Sequence, residues 1–563
     1  MKIGLISPDN VYSLGIRHLS AYLKYHGHET ISLFLVGDNI VERSKEKIFS
    51  SRIKPDDLIK LFKDCDVIGM SCLSFNTYEI IHMVKILSSL SKPIVWGGIQ
   101  ATLCPEFCIE YVDIVCIGEG EIAFLDLINK IQNGEDIYNT QNFWFKKNNK
   151  IIKNPPRPLI EDLDTLPTPD YDFKDKYVFN GKEIVPLRPE KHMYYINILT
   201  TFGCPYKCTY CSSPTLGKIF SNNGKGGKYL RKKSVSKIIN DLEKILKEFN
   251  NPSYIEFDDD LFFIRSFKEL KEFSKEYKKR INIPFFMFVS PNKMNEKKLN
   301  LLIETGLIEI EMGIQSGSNR INKEIFKRKI RNEHVIKAVT IINKVIHSSA
   351  KNFIPRYDII IDNPYEDKND TLETLKLITS LPKPFILEVF SLQFFPKTEL
   401  SCRAIKDSLI EPESILPKMK NYFLRDITKE IITINDVISL MCQTNTEERY
   451  GLIKSKLIKD FLIDEASIHK SLKVIIDPSL IKFVDRESDE VKRDLFKYII
   501  RVIAFLRQKY HEIKEDESTK YIETNPDDYG IIFSTLSRIF IHKSHFVPHI
   551  YDSRTFPIGV CKI

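Results

Sequence analysis

No apolar run in the 563 residues reaches the roughly 20 residues that span a bilayer. The opening stretch, Met1-Lys2 running straight into KIGLIS, has neither the charged nor the apolar region of a secretion signal, so a cytoplasmic protein is expected. Eleven cysteines, an odd number, in a large chain without such a signal argue against a disulfide framework and leave reduced thiols available for a cluster. No repeat of fixed period and no low-complexity tract is present. An excess of one charge is also missing: 83 basic against 75 acidic residues give +8, which describes a mixed, solvated surface. No nucleic-acid partner and no transmembrane segment are therefore expected. What is there is ordinary globular sequence, 43% hydrophobic and 28% charged, long enough for two or three domains.

Residues 1–135 alternate strand and helix signals, with strand-like runs at 2–7, 30–35, 66–71, 93–96 and 114–117 and amphipathic helices such as 13–25 and 78–90. That rhythm predicts a doubly wound, Rossmann-like parallel sheet, which binds ligands beyond the C-terminal ends of its strands. A hairpin is expected over 142–153, followed by a linker in which Pro155, Pro156, Pro158, Pro167 and Pro169 forbid a continuous helix or central strand. From Tyr194 the rhythm restarts, with strands expected at 194–200, 253–258, 284–290, 308–314, 355–361 and 385–393. Six such units suit an open (β/α)6 barrel, a partial TIM barrel with its chemistry at the C-terminal rim. The expected division is 1–135, 136–190 for hairpin and linker, 191–405 for the barrel, and 406–563 as a mainly helical C-terminal domain with a long helix at 488–510.

The first barrel strand runs into LTTFGCPYKCTYCSSP, which spaces Cys204, Cys208 and Cys211 as C-x3-C-x2-C. A loop at a strand end can aim three thiolates at one centre. An iron–sulfur cube takes four ligands, and the next cysteine is Cys402, so one iron would stay open for a small molecule. Zinc is the poorer fit, since it favours four closed ligands in paired elements. The motif resembles that of the radical S-adenosylmethionine (radical SAM) enzymes, C-x3-C-x-aromatic-C, with Tyr210 as the aromatic residue. The resemblance implies a [4Fe-4S] cluster whose open iron chelates S-adenosylmethionine, with Tyr210 near the adenine.

Shorter signatures in the first domain are similar to those of the cobalamin-binding class of that family. Ser71-Cys72-Leu73 closes the third strand like its S-x-L, Gly97-Gly98 the fourth like its GG, and Gly118-Glu119-Gly120-Glu121 follows the fifth like its GEGE. The resemblance implies that Ser71, Leu73, Gly97, Gly98 and Glu119 hold cobalamin. The D-x-H-x-x-G that gives cobalt a histidine in other cobalamin proteins is absent, since Pro8-Asp9-Asn10-Val11-Tyr12 follows the first strand. Cobalamin is thus expected without a protein histidine ligand, and His18 is read as a surface or helix-packing residue. Cys65, Cys72, Cys104, Cys108 and Cys116 form no ligand set and are expected as small buried hydrophobes.

For S-adenosylmethionine, Asp259 and Asp260 of FDDDLF match the family's ammonium-binding position, although helix capping is the competing use of such aspartates. Gln315 and Ser316 match a G-x-[EQ]-S element, and Arg328 an arginine that pairs with the carboxylate. Asp358 and Asn363 fall in a stretch resembling D-x-I-x-x-x-P-x-E, which implies that one or the other lies near the ribose. Where relatives show PGT, this chain has Pro396-Lys397-Thr398, putting a cation at the barrel mouth.

Together these imply a cobalamin-dependent radical SAM C-methyltransferase. A 5′-deoxyadenosyl radical would abstract hydrogen from an unactivated carbon of a small molecule, lipid or peptide, and a flavodoxin or ferredoxin-type protein would supply the electron. The open cluster would make it oxygen-sensitive. Two alternatives stand at this stage: cyclisation, ring rearrangement or oxidation with the same cofactors, and a non-catalytic cluster or cobalamin sensor.

Overall fold

The structure, a computed structural model, describes residues 1–35, 49–221, 228–249, 251–349, 354–382 and 385–415. The helical domain expected over 406–563, with its helix at 488–510, lies outside these apart from its first ten residues. One compact unit contains the described residues of 1–288 and 393–415, and a second contains those of 289–392.

The first unit holds a nine-stranded sheet in the order β7-β6-β5-β4-β3-β1-β2-β8-β9. Its parallel heart is β1 (Lys2–Ser7), β2 (Glu29–Leu35), β3 (Val67–Ser71), β4 (Ile94–Gly97) and β5 (Ile114–Cys116). These strands are short and almost wholly apolar because helices cover both faces. Helices α1 (Leu14–Tyr25), α2 (Pro55–Phe62), α3 (Thr77–Leu87), α4 (Gly98–Leu103) and α5 (Glu121–Asn133) connect or follow them. The order turns back between β1 and β3, and at such a switch point a crevice opens over the strand ends.

The hairpin β6 (Phe143–Lys147) and β7 (Lys150–Lys153) adds antiparallel strands beside β5. The segment read as linker also yields two strands. β8 (Lys176–Phe179) runs parallel to β2, and β9 (Ile184–Pro186) pairs antiparallel with β8. The prolines cluster upstream, where the chain is irregular, and Lys176 enters the sheet because its ammonium reaches buried Asp170 at 2.8 Å. Tyr171 then donates its hydroxyl to the Asn197 carbonyl at 2.7 Å, fastening this segment to the strand that follows.

Three parallel strands complete the unit: β10 (Ile196–Ile198), β13 (Ile255–Phe257) and β14 (Phe285–Val289). β11 (Thr201–Phe202) and β12 (Arg231–Lys232) form a small antiparallel pair after β10. Helices α6 (Ser213–Ser221), α7 (Val235–Glu248) and α8 (Phe267–Arg280) lie between them in sequence. α8 starts with a reciprocal cap, in which Ser266 and Glu269 each accept the other's amide. In the second unit β15 (Leu307–Gln315), β16 (Ile354–Ile361) and β17 (Ile386–Ser391) are parallel, with α9 (Glu296–Thr305) before β15, α10 (Asn332–Ser348) and α11 (Lys368–Ser380) between successive strands. α12 (Glu399–Lys406) closes the described chain's regular structure.

Candidate cofactor sites

The thiol loop is built on the end of β10. Asp259, fully buried, accepts from the amides of Thr200 and Thr201 and from both their hydroxyls. That carboxylate fixes the backbone just before the loop, and Arg265 faces it while also bonding the Thr200 hydroxyl at 3.0 Å. Gly203 takes φ +83°, and a Cβ there would stand 2.4 Å from the Tyr229 carbonyl, so the chain can turn into the loop only at a glycine.

Cys204, Cys208 and Cys211 follow. Burial pushes the Cys204 thiol up, with Asp260 and the other two thiols adding to the rise, so the three sulfurs and Asp260 face one region. The Ser213 amide, at the start of α6, points at Cys211 Sγ at 3.4 Å, and helix amides favour a thiolate. Tyr210 is buried. Among the described residues no three His, Cys, Asp or Glu side chains converge on a single ion. A cube differs from a single ion in taking one thiolate per iron, and the three cysteines, none in a disulfide, fit that demand.

The three successive aspartates divide their work. Asp258 accepts from Asn197 at 3.0 Å, Asp259 holds the two threonines, and half-buried Asp260 faces the cysteines. After β17 the chain returns to the loop: the Leu400 amide donates to the Thr209 carbonyl at 2.9 Å, and Thr215 to the Lys397 carbonyl at 3.2 Å. Lys397 is exposed and adopts φ +59°, a left-handed conformation that favours glycine; its charge acts on Cys104.

Over the C-terminal ends of β3, β4 and β5 lies an open cleft of about 1170 Å³, the solvent at its mouth included. Ser71, Gly97, Gly98 and Glu119 line it, and so do Gly203, Tyr229 and Arg231 from the thiol-loop hairpin. At Gly98, φ +87°, a Cβ would meet Ser71 Oγ at 2.6 Å and the Cys72 amide nitrogen at 3.0 Å. Only a glycine therefore lets the turns after β3 and β4 pack this closely against each other. Thr102 ties the two glycine turns together, donating to the Gly98 carbonyl at 2.8 Å and accepting from the Gly118 amide at 2.9 Å. Leu73 is half-buried and donates its amide to Asp9 at 3.3 Å, so the residue standing where a histidine motif would begin braces the S-x-L turn.

Glu119 is gripped from two sides, by Arg231 Nη2 at 2.6 Å and by the Ile160 amide at 2.9 Å. His18 is not a surface residue: it is 4% exposed, lines the cleft, and burial lowers its pKa to about 3, so it is neutral. Cys65, Cys72, Cys108 and Cys116 are buried and Cys104 half-buried, packed as small apolar groups. Arg231, Tyr229 and Thr102 escaped the sequence reading because they belong to no short motif. The signal for Arg231 lies in the two-residue strand β12 alone.

In the second unit, Gln315 ends β15 at φ +71°, beyond a register shift from Gly313. Its Oε1 is buried without a partner, as is Nδ2 of Asn363. Ser316 is fully buried and accepts from the Ser318 amide at 3.1 Å, while Asp358 pairs in register with Gly313. Arg328 gives its guanidinium to the Ile314 and Gly313 carbonyls, both at 2.7 Å, and so braces this strand end. Buried polar atoms left open are what a polar ligand would complete.

The B12 binding domain profile matches residues 4–128, and that of the Radical SAM superfamily residues 198–378. An uncharacterized methyltransferase of Pyrococcus horikoshii is 27% identical over 63% of this chain and 73% of its own. Cytidylyl-2-hydroxyethylphosphonate methyltransferase of Streptomyces wedmorensis is 22% identical over 60% and 68%. In fold, the cobalamin-dependent S-adenosylmethionine radical enzyme OxsB gives a TM-score of 0.60 at 16% identity, covering 96% of this chain and 83% of OxsB. The radical S-adenosylmethionine methyltransferase TsrM of Kitasatospora setae gives 0.55 at 15%, covering 72% and 76%.

A B12-binding domain joined to a radical SAM domain defines a class of enzyme whose cofactors are a [4Fe-4S] cluster, S-adenosylmethionine and cobalamin. The chain carries both domains of that class, the cobalamin-dependent radical SAM enzymes, and the relatives it is similar to include methyltransferases. Among the described residues no helix is long and apolar enough to cross a membrane.

Proposed function

We propose that this enzyme methylates an unactivated carbon of its substrate, with residues 1–135 holding cobalamin, 191–405 forming the barrel and 136–190 joining them. The observation that carries the reading is the shared cleft. Its walls combine the S-x-L, GG and GEGE turns with Gly203, Tyr229 and Arg231 of the hairpin beside the thiol loop. A large flat cofactor seated there would lie against the loop of Cys204, Cys208 and Cys211.

When bound, the cofactors supply a reducing electron, an adenosyl radical and a transferable methyl group. The chain's own residues bind and exclude. Cys204, Cys208 and Cys211 would each take one iron, with Asp259 holding the backbone before them and the Ser213 amide supporting Cys211. Asp260, the aspartate facing the thiols, would receive the ammonium of S-adenosylmethionine. Tyr210 would lie by the adenine. Within the second unit, the open atoms of Gln315 and Asn363 would complete hydrogen bonds to a polar ligand, with Arg328 positioning that strand end. Ser71, Leu73, Gly97 and Gly98 would hold cobalamin's tail. His18, though neutral and on the wall, is not assigned to cobalt.

A flavodoxin or ferredoxin-type donor would reduce the cluster in an anaerobic or strongly reducing cytoplasm. The test is anaerobic purification with cluster reconstitution, then iron and cobalamin quantitation on one sample, followed by assay for 5′-deoxyadenosine. Four irons with near-stoichiometric cobalamin and 5′-deoxyadenosine above background are expected. Four irons without cobalamin, even after loading, would remove methyl transfer from the reading.

A further inference from the structure

Glu121 opens α5 and lines the cleft. Burial is the main reason its carboxyl is pushed up to about 7; the Glu119 carboxylate adds to the rise, and the amides of Glu121 and Gly120 together with Arg231 hold it back only in part. The groups that face it come from four elements: Glu119 on its own loop, Arg231 of β12, Tyr22 of α1 and Cys116 of β5. Tyr22 and Cys116 are raised in their turn, by burial first and by Glu121 after it, so both stay neutral and compensate nothing. Arg231 is the cation of the set and it is already engaged, with Nη2 on Glu119 and Nη1 on the Ile160 carbonyl, each at 2.6 Å. The wall thus presents one satisfied carboxylate and, two residues on, one carboxyl with no cation of its own.

We propose that Glu121 meets bound cobalamin as a neutral carboxylic acid donating a hydrogen bond to it, so that cofactor binding takes up one proton. This rests on the reading that the cleft holds cobalamin. A macrocycle filling the cleft removes the water that solvates a Glu121 carboxylate, which favours the neutral form further. The carbonyl groups of a corrin's peripheral amides are acceptors that an acid O–H can serve and a carboxylate cannot. The proton comes from solvent on binding and returns to it on release.

The experiment uses the full-length, cluster-reconstituted protein freed of corrinoid, with methylcobalamin as the probe, titrated by absorbance from about pH 6 to 9. Affinity level below about 7 and falling about tenfold per pH unit above it is expected, with a Glu121→Gln variant binding without that slope. Calorimetry of the wild type near pH 8, in buffers of different ionisation heat, should show about one proton taken up. That measurement does not depend on the variant folding. A flat profile with no proton uptake, while Ser71→Phe still weakens binding, overturns the role of Glu121 and leaves the cobalamin cleft standing. Failure of the wild type to bind methylcobalamin at any pH overturns the cleft reading and this proposal with it.

Discussion

Asp259 and Asp260 differ by one position and by everything around them. Asp259→Asn keeps the shape but turns an NH2 toward donors of Thr200 and Thr201, which already point at it. A loss of about 3 kcal/mol in denaturant unfolding is expected, with reduced iron loading; a variant as stable as wild type would refute the bracing role. Cys208→Ala should lose the cluster outright, and normal iron content would refute its assignment as a ligand. His18 carries a pH signature. Its folded pKa of about 3 lies below the ordinary 6.5, so the unfolded chain binds the extra proton first. Stability is therefore full above about 6.5 and falls on acidification, by up to about 1.4 kcal/mol per pH unit, until about 3. Denaturation at pH 7 and pH 5 should show a larger drop for wild type than for His18→Leu; equal drops would mean that His18 titrates normally. The three aspartates look alike in sequence because acidity at a strand tip is all that the letters convey. Only the neighbouring Asn197, threonines and cysteines distinguish them.

At the scale of elements, turns with a glycine or a serine at a strand end were legible, since the end of an apolar run marks where a ligand-facing turn begins. The placement of Ser71, Gly97 and Gly98 on one cleft follows that logic. Strands β8 and β9 were not legible, because proline density upstream masked them and their register depends on the buried Asp170–Lys176 pair, 2.8 Å apart. Lys397 offers a test of the element after β17. At φ +59° a lysine is strained, and Lys397→Gly should raise stability by about 1 kcal/mol in denaturant melts. An unchanged or lowered midpoint would mean that the side chain earns its conformation through contacts.

At the scale of the whole described chain, Arg231 joins segments distant in sequence: the GEGE turn through Glu119, the irregular segment through Ile160, and the thiol-loop hairpin to which it belongs. Arg231→Met should strand Glu119 and lower both cobalamin retention and thermal stability, whereas a loss of cobalamin alone would make it a simple contact residue. This clasp was invisible in the sequence because it couples residues 112 positions apart. A different long-range link carries a consequence for biosynthesis. Since the Thr209 carbonyl is held by the Leu400 amide, the thiol loop reaches its final set of bonds only after some two hundred further residues have left the ribosome. Until then the three thiols sit on an unfinished scaffold, exposed to oxidants and stray metals. Cluster insertion is thus expected as a late, post-synthetic event, and a nascent chain halted before residue 400 should accept iron poorly.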